Sequence, residues 1–120
     1  MKFLWTTIEV TDLAASKAFY QEVVGLSVAR EFSGEGTHIV FLGSGDTLVE
    51  LIATDDEPAR SAGDGISLGF AVEDLDAKIA FLAEQGIAVA EGPFAPNPSI
   101  RFFFIRDPDN VRIQFVEERP

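Results

Sequence analysis

The 120-residue sequence has no cysteine, a single histidine and a single tryptophan. The absence of cysteine excludes disulfides, thiolate metal ligands and a cysteine nucleophile. No apolar run approaches the roughly 20 residues that a membrane-spanning helix requires, and the first residues lack the apolar core and cleavage site of a signal peptide. We therefore expect a cytoplasmic protein that makes no contact with a membrane.

Basic residues are also scarce. Nine Lys and Arg face 20 Asp and Glu, which gives a formal net charge of −11. This field repels a phosphate backbone, so nucleic acid is not expected as a partner. The charge indicates either a solvated acidic surface or a site that attracts cationic ligands, and composition alone leaves both open.

Apolar side chains are abundant by contrast. Hydrophobic residues make up 47% of the chain, including 11 Phe, so the chain can bury a core and form one domain. The two halves of the sequence also match each other. WTTIEVTDL at residues 5–13 aligns with SLGFAVEDL at residues 67–75, and an apolar helical pattern follows each segment.

These patterns predict helices over residues 13–24 and 75–85, ending at Gly25 and Gly86, since a glycine just past a helix supplies a left-handed residue. A strand should follow each helix, near residues 27–32 in the first half and near residues 88–91 in the second. A hairpin should follow each of these strands. THIVFL-GSGD-TLVELI in the first half corresponds to IRFFFI-RDPDN-VRIQFV in the second.

Each half thus reads β-α-β-β-β. We predict modules at about 1–52 and 66–120, joined by a linker at 53–65 that is acidic and contains Pro and Gly. GPFAPNPS at 92–99 is predicted to be a loop, either a plain connection or a lid over a ligand. The fold class is α+β, with two curved mixed sheets around a groove.

The alternation of side chains along a strand predicts which residues face that groove. The apolar set of each module should meet its helix, so the opposite parity of the first and last strands faces away from it. Four positions that correspond under the repeat are expected to face the groove: Trp5, Glu50, Ser67 and Gln114.

Three segments together resemble the vicinal-oxygen-chelate superfamily, which includes glyoxalase I, bleomycin-resistance proteins and extradiol dioxygenases. They are TIEVTDLAASKAFYQEVVGL, LGFAVEDLDA and FFFIRDPDNVRIQFVE, the last with D-P-D-N where the family has D-P-D-G. The resemblance covers the whole chain. It implies the paired βαβββ fold in a homodimer, with or without exchange of halves between chains.

The resemblance also implies where a metal would bind. Metal-dependent members hold a divalent ion with four groove residues, commonly two His and two Glu, at the positions of Trp5, Glu50, Ser67 and Gln114 here. Glu50 alone is a usual ligand for a transition metal, since Trp cannot coordinate and the amide and hydroxyl are weak neutral donors. We therefore expect no tightly held metal and no other cofactor.

Several candidate residues have two interpretations each. Trp5 either fills the groove floor or is a stacking platform for a flat ligand. His38 and Arg101 are either structural or reach a ligand, depending on which face of their strands they occupy. The residues predicted to contact ligand are Trp5, Thr7, Glu9, His38, Glu50, Ser67, Arg101, Phe103, Arg112 and Gln114.

Two functions follow from this set. The first is metal-free sequestration of a small apolar or planar-aromatic molecule, such as an antibiotic, as in bleomycin-resistance proteins. The second is a glyoxalase I-like lyase that uses Glu50 as its base. A structural dimer with an empty groove is the third alternative.

Overall fold

The computed structural model describes residues 1–119, which divide into two compact units, one at residues 1–62 and the other from residue 63 onward. The elements of the first unit are β1 (Trp5–Glu9), α1 (Leu13–Ala18), a π-helical segment (Phe19–Val24), β2 (Val28–Gly34), β3 (Thr37–Leu42) and β4 (Leu48–Thr54). Its four strands form a sheet in the order β1-β4-β3-β2, with β1 parallel to β4.

The second unit repeats this topology. Its elements are β5 (Ser67–Ala71), α2 (Leu75–Glu84), β6 (Glu91–Asn97), β7 (Ile100–Arg106) and β8 (Arg112–Glu118). Its sheet has the order β5-β8-β7-β6, and β5 runs parallel to β8 as β1 does to β4. The predicted α+β fold of two βαβββ modules is confirmed.

Each helix covers one face of its own sheet. Helix α1 packs on β4 and α2 packs on β8. The apolar residues predicted to meet the helices are buried there, since Leu51, Ile113 and Phe115 have no exposed surface. Asp12 and Asp74 cap the two helices by accepting hydrogen bonds from the backbone N–H groups of Ala15 and Ala77.

The helix predicted over residues 13–24 has the right extent but not a uniform geometry. It is α-helical to Ala18 and π-helical from Phe19, so the N–H of Gly25 bonds to the carbonyl of Tyr20 five residues earlier. Gly25 then adopts φ of +97°, and Gly86 after α2 adopts φ of +77°. Both glycines therefore end their helices as the sequence predicts.

The strand predicted at 88–91 lies instead at 91–97, so most of the segment predicted to be a loop at 92–99 is β-strand. The prolines obscured it, because proline weakens a strand assignment. They are tolerated because β6 is the edge of its sheet and its pairing to β7 is interrupted by two register shifts. Within residues 1–119, no helix is long and apolar enough to cross a membrane.

Candidate functional site

The first unit brings Thr7 and Glu50 together on the sheet face opposite α1. The parallel ladder aligns Thr7 of β1 with Glu50 of β4, and the Thr7 hydroxyl donates a hydrogen bond to Glu50 Oε1 at 2.5 Å. Glu50 is only 9% exposed, so this donor holds a carboxylate largely removed from water. The face therefore has a fixed hydrogen-bond acceptor.

Trp5 and Phe41 form an aromatic pair on the same face as that carboxylate. Phe41 of β3 aligns with Glu50 in the ladder, and the Trp5 ring meets the Phe41 ring edge-on at a centroid distance of 5.1 Å. Phe41 is 5% exposed whereas Trp5 is 39% exposed. Trp5 therefore packs against the unit and still presents indole surface, and its contact with a ligand stays a prediction.

The same face carries Arg30 and Phe32, from the outer strand β2. The Arg30 guanidinium lies over the Phe41 ring, 4.2 Å from its centroid, and the Phe32 ring meets Phe41 edge-on at 6.3 Å. Sequence reasoning missed Phe41, Arg30 and Phe32. The signal for Phe41 was the parity of THIVFL, in which Phe41 alternates with the buried Val40 and Leu42.

Glu9, at the end of β1, is held by Arg60 from the segment that follows β4. The Glu9 carboxylate accepts hydrogen bonds from Arg60 Nε at 2.9 Å and from its backbone N–H at 3.3 Å. The hydrogen bond from the Arg60 side chain is the main reason that the pKa of Glu9 lies below its usual value. This pair fastens residues 57–60 beside β1.

A cavity of about 300 Å³ lies between that segment and the sheet. Its walls include Thr7 and Glu9 of β1 together with Ile52 and Thr54 of β4, on the Glu50 face, and Glu57 to Arg60 complete them. The predicted residues Trp5, Thr7, Glu9 and Glu50 thus share one face, and the cavity extends that face toward the end of the sheet.

The second unit presents a corresponding face with different chemistry. Gly69 aligns with Gln114 as Thr7 does with Glu50, but it supplies no hydroxyl, and a Cβ there would lie 3.2 Å from Gln114 Oε1. Arg112 lies over Phe104 at 4.2 Å and contacts Glu91 at 3.4 Å. Ser67, Arg112 and Gln114 therefore share a face of β5 and β8, as the alternation predicts.

His38 lies on the opposite face of the first sheet, on the side of α1. It alternates with Phe41 along β3 and aligns with Ser33, to whose hydroxyl its Nδ1 is hydrogen-bonded at 3.0 Å. Its Nε2 lies 3.0 Å from Asp55 Oδ1. His38 is thus hydrogen-bonded to other side chains of the first unit, and it does not share a face with Glu50.

Phe103 and Arg101 also point to the helix side, in the second unit. Phe103 aligns with Phe115, has no exposed surface and packs on that ring at 5.4 Å. The prediction that Phe103 contacts a ligand is wrong, because this parity of β7 belongs to the core. Phe102 and Phe104 instead lie on the face of the sheet that carries Gln114.

Arg101 connects the sheet to α2. It bonds to Asp76 at 3.0 Å and lies 3.7 Å from Glu117. The hydrogen bond from Arg101 is the main reason that the pKa of Asp76 is lowered. Arg101 therefore joins β7 to the first turn of the helix and does not share a face with Gln114.

The Arg101–Asp76 pair predicts a pH-dependent contribution to stability. A carboxyl whose pKa is lower in the folded state stabilises the fold above its unfolded pKa, and this contribution is lost as the pH falls through the folded value. We expect Arg101→Gln to lower the urea midpoint at pH 7 and to approach wild type once the pH has fallen below the lowered, folded-state pKa of Asp76. Asp76→Asn should behave alike. A wild-type advantage of equal size at both pH values would contradict the assignment.

The residues at the four corresponding positions do not fit a transition metal. The Trp5 indole has no lone pair to donate, Ser67 and Gln114 offer neutral oxygens, and the Glu50 carboxylate already accepts the Thr7 hydroxyl. Across residues 1–119, no three His, Asp or Glu side chains are arranged to hold a metal ion. This donor set favours hydrogen bonding and stacking.

The repeat, the paired modules and these faces define a class of protein built from two βαβββ units. The chain belongs to the Glyoxalase/Bleomycin resistance protein/Dioxygenase superfamily, whose model matches residues 2–115.

Relatives within this class have different roles. YaeR of Escherichia coli K12 is 29% identical, with 92% of each chain covered. Lactoylglutathione lyase of Neisseria meningitidis serogroup A is 27% identical, covering 99% of this chain and 92% of the lyase. TnmS3, an antibiotic binding protein from Streptomyces sp. CB03234, is 25% identical with a TM-score of 0.80, covering 98% of this chain and 96% of TnmS3.

Proposed function

We propose that this protein binds and sequesters a small planar molecule on the Glu50 face of its first unit, without a protein-held metal. The observation that carries the proposal is the exposed indole of Trp5, held against the buried Phe41 ring, on the same face as the Thr7–Glu50 pair. An aromatic ring stacks on such a surface, while a fixed carboxylate orients a donor group of the ligand.

The burial of Phe41 and the similarity to an antibiotic binding protein support this proposal. Phe41 is almost fully buried and backs Trp5, so the indole is positioned before a ligand arrives, which reduces the entropy that binding costs. The likeness to TnmS3 indicates that this fold accommodates antibiotics in at least one relative. We propose an antibiotic or another planar aromatic compound as the ligand class.

Fluorescence of N-phenylnaphthylamine, a neutral probe with a planar naphthalene ring, tests the proposal. We expect the probe to bind the wild type saturably. Phe94→Ala is the matched control, because Phe94 is an aromatic of similar exposure in the second unit. Binding that depends on Phe94 and not on Trp5 would place the ligand elsewhere and contradict the proposal.

A lactoylglutathione lyase activity is the second candidate, favoured by the likeness to the Neisseria lyase and by the largely buried Glu50. Under this alternative Glu50 is the base that moves a proton of the substrate. We expect no isomerisation of the hemithioacetal of methylglyoxal and glutathione above background, with or without added Ni²⁺ or Zn²⁺. Turnover that disappears in Glu50→Gln would establish the lyase instead.

We also propose that the protein is a homodimer and that it is located in the cytoplasm. Sedimentation equilibrium measures the first, and fractionation of cells that produce the protein measures the second. A homodimer, swapped or not, would be consistent with sequestration, because each copy of the first unit carries its own Glu50 face.

A further inference from the structure

A β-bulge places Arg30 on the Glu50 face. In the pairing of β2 with β3, Val28 aligns with Leu42 and Arg30 with Phe41, so Ala29 is the additional residue. Without this bulge, strict alternation from Val28 would direct Arg30 to the helix side. A bulge beside a binding face commonly serves to redirect a side chain.

Arg30 also differs from the other arginines in its partners. Among residues 1–119, each of the other five arginines forms an ion pair with a carboxylate: Arg60, Arg101, Arg106, Arg112 and Arg119. Arg30 has no such partner within the described residues, although acidic side chains outnumber basic ones by more than two to one. Its guanidinium lies instead over the ring of Phe41.

Stacking on Phe41 orients the guanidinium and leaves its hydrogen-bonding edge available. Arg30 Cζ lies 4.2 Å from the ring centroid of Phe41, a residue that is 5% exposed, and the centroid of the Trp5 ring lies 5.1 Å from the same centroid. A guanidinium has five N–H donors in a rigid fork that matches a carboxylate, and stacking does not occupy them. Trp5 and Arg30 are therefore linked through one ring.

We infer that Arg30 binds a carboxylate of the ligand, so the ligand class is a planar aromatic carboxylate. The inference rests on the proposed function and adds the charge of the ligand. The ring of the ligand lies against Trp5, and its carboxylate accepts hydrogen bonds from Arg30. The net charge of −11 opposes a single carboxylate far less than it opposes a phosphate backbone with its many charges, and salt screens charges beyond roughly 8 Å at physiological ionic strength.

The position of Glu50 agrees with this orientation. Phe41 lies on β3, between its neighbours Arg30 on β2 and Glu50 on β4. Phe41 therefore separates the Glu50 carboxylate from the carboxylate of a ligand bound to Arg30. A hydroxyl or amino group on the far side of the ligand would donate to Glu50. The face then discriminates between the two ends of its ligand.

Calorimetric titration with three matched probes tests the inference: naphthoate, naphthamide and naphthylmethylammonium. We expect the wild type to bind naphthoate about tenfold more tightly than naphthamide, the effect of a charge-assisted hydrogen-bonded pair. Arg30→Gln should remove this preference, because it weakens naphthoate binding far more than naphthamide binding. Arg30→Lys should lose most of it, because an ammonium lacks the planar fork. Arg106→Gln, at an arginine paired with Asp64 in the second unit, is the control and should match the wild type.

The outcomes separate this inference from the proposed function. Equal affinity for naphthoate and naphthamide, or an unchanged preference in Arg30→Gln, would overturn the role of Arg30 and leave planar ligand binding intact. Tightest binding of naphthylmethylammonium would overturn it in favour of a cationic ligand at Glu50. If none of the three probes binds the wild type, the proposed function and this inference both fail.

Discussion

Replacing Phe103 with alanine is expected to lower the free energy of unfolding by about 3–5 kcal/mol. Phe103 has no exposed surface and packs against Phe115, so truncation removes buried apolar area and leaves a cavity between the second sheet and α2. The close packing of a core prevents the neighbours from filling that space fully. Urea denaturation at neutral pH measures the change.

Phe102→Ala is the matched control for this prediction. Phe102 precedes Phe103 on the same strand but points to the opposite, partly exposed face, where it contacts Phe94 and Phe104. We expect it to cost roughly half as much or less, because less area is buried and no enclosed cavity forms. Equal losses for the two variants would contradict the face assignment of β7.

Replacing Trp5 with alanine is expected to weaken binding of N-phenylnaphthylamine roughly tenfold or more, because a large aromatic anchor commonly dominates the binding energy of its site. The variant should still fold at a cost of roughly 2–3 kcal/mol, since Trp5 is 39% exposed and loses its buried apolar area together with the edge contact to Phe41. Fluorescence titration gives the affinity, and circular dichroism of the same samples reports the fold.

Trp5→Phe separates stacking from mere filling of space. A phenyl ring retains a smaller stacking surface, so its affinity should fall between those of the wild type and Trp5→Ala. If Trp5→Ala binds the probe as tightly as the wild type, Trp5 is only a packing residue and the ligand does not stack there.

The sequence repeat predicted the architecture and the shared faces of β1 with β4 and of β5 with β8. It succeeded because the alternation in a strand has a period of two, and a buried face makes a shift by one residue costly. The pairs Thr7–Glu50 and Gly69–Gln114 occupy matching places in the two ladders. These faces could therefore be read from the positions of Ile8, Leu51, Ile113 and Phe115.

The faces of the inner hairpin strands were harder to predict. Phe102, Phe103 and Phe104 are all apolar, so hydrophobicity alone does not distinguish the core face of β7 from the other face. His38 and Arg101 each have a polar partner beside the helix, which a residue-by-residue pattern does not reveal. Their faces depend on the hairpin register.

The bulge at Ala29 was beyond the sequence pattern for a different reason. One additional residue reverses the parity of all that follow it, and neither Val28 nor Ala29 carries a specific signal for a bulge. Arg30 therefore reads as an ordinary surface cation in the sequence. Its role depends on the Phe41 ring across the ladder.

Native mass spectrometry of the freshly purified protein tests the central proposal most directly, because one spectrum reports organic adducts, metal ions and the number of subunits. We expect chains that bind added naphthoate at one equivalent each, that lose this adduct in Trp5→Ala, and that carry no stoichiometric transition metal. One transition-metal ion per chain that survives buffer exchange and disappears in Glu50→Gln would contradict a metal-free binding face and support the lyase.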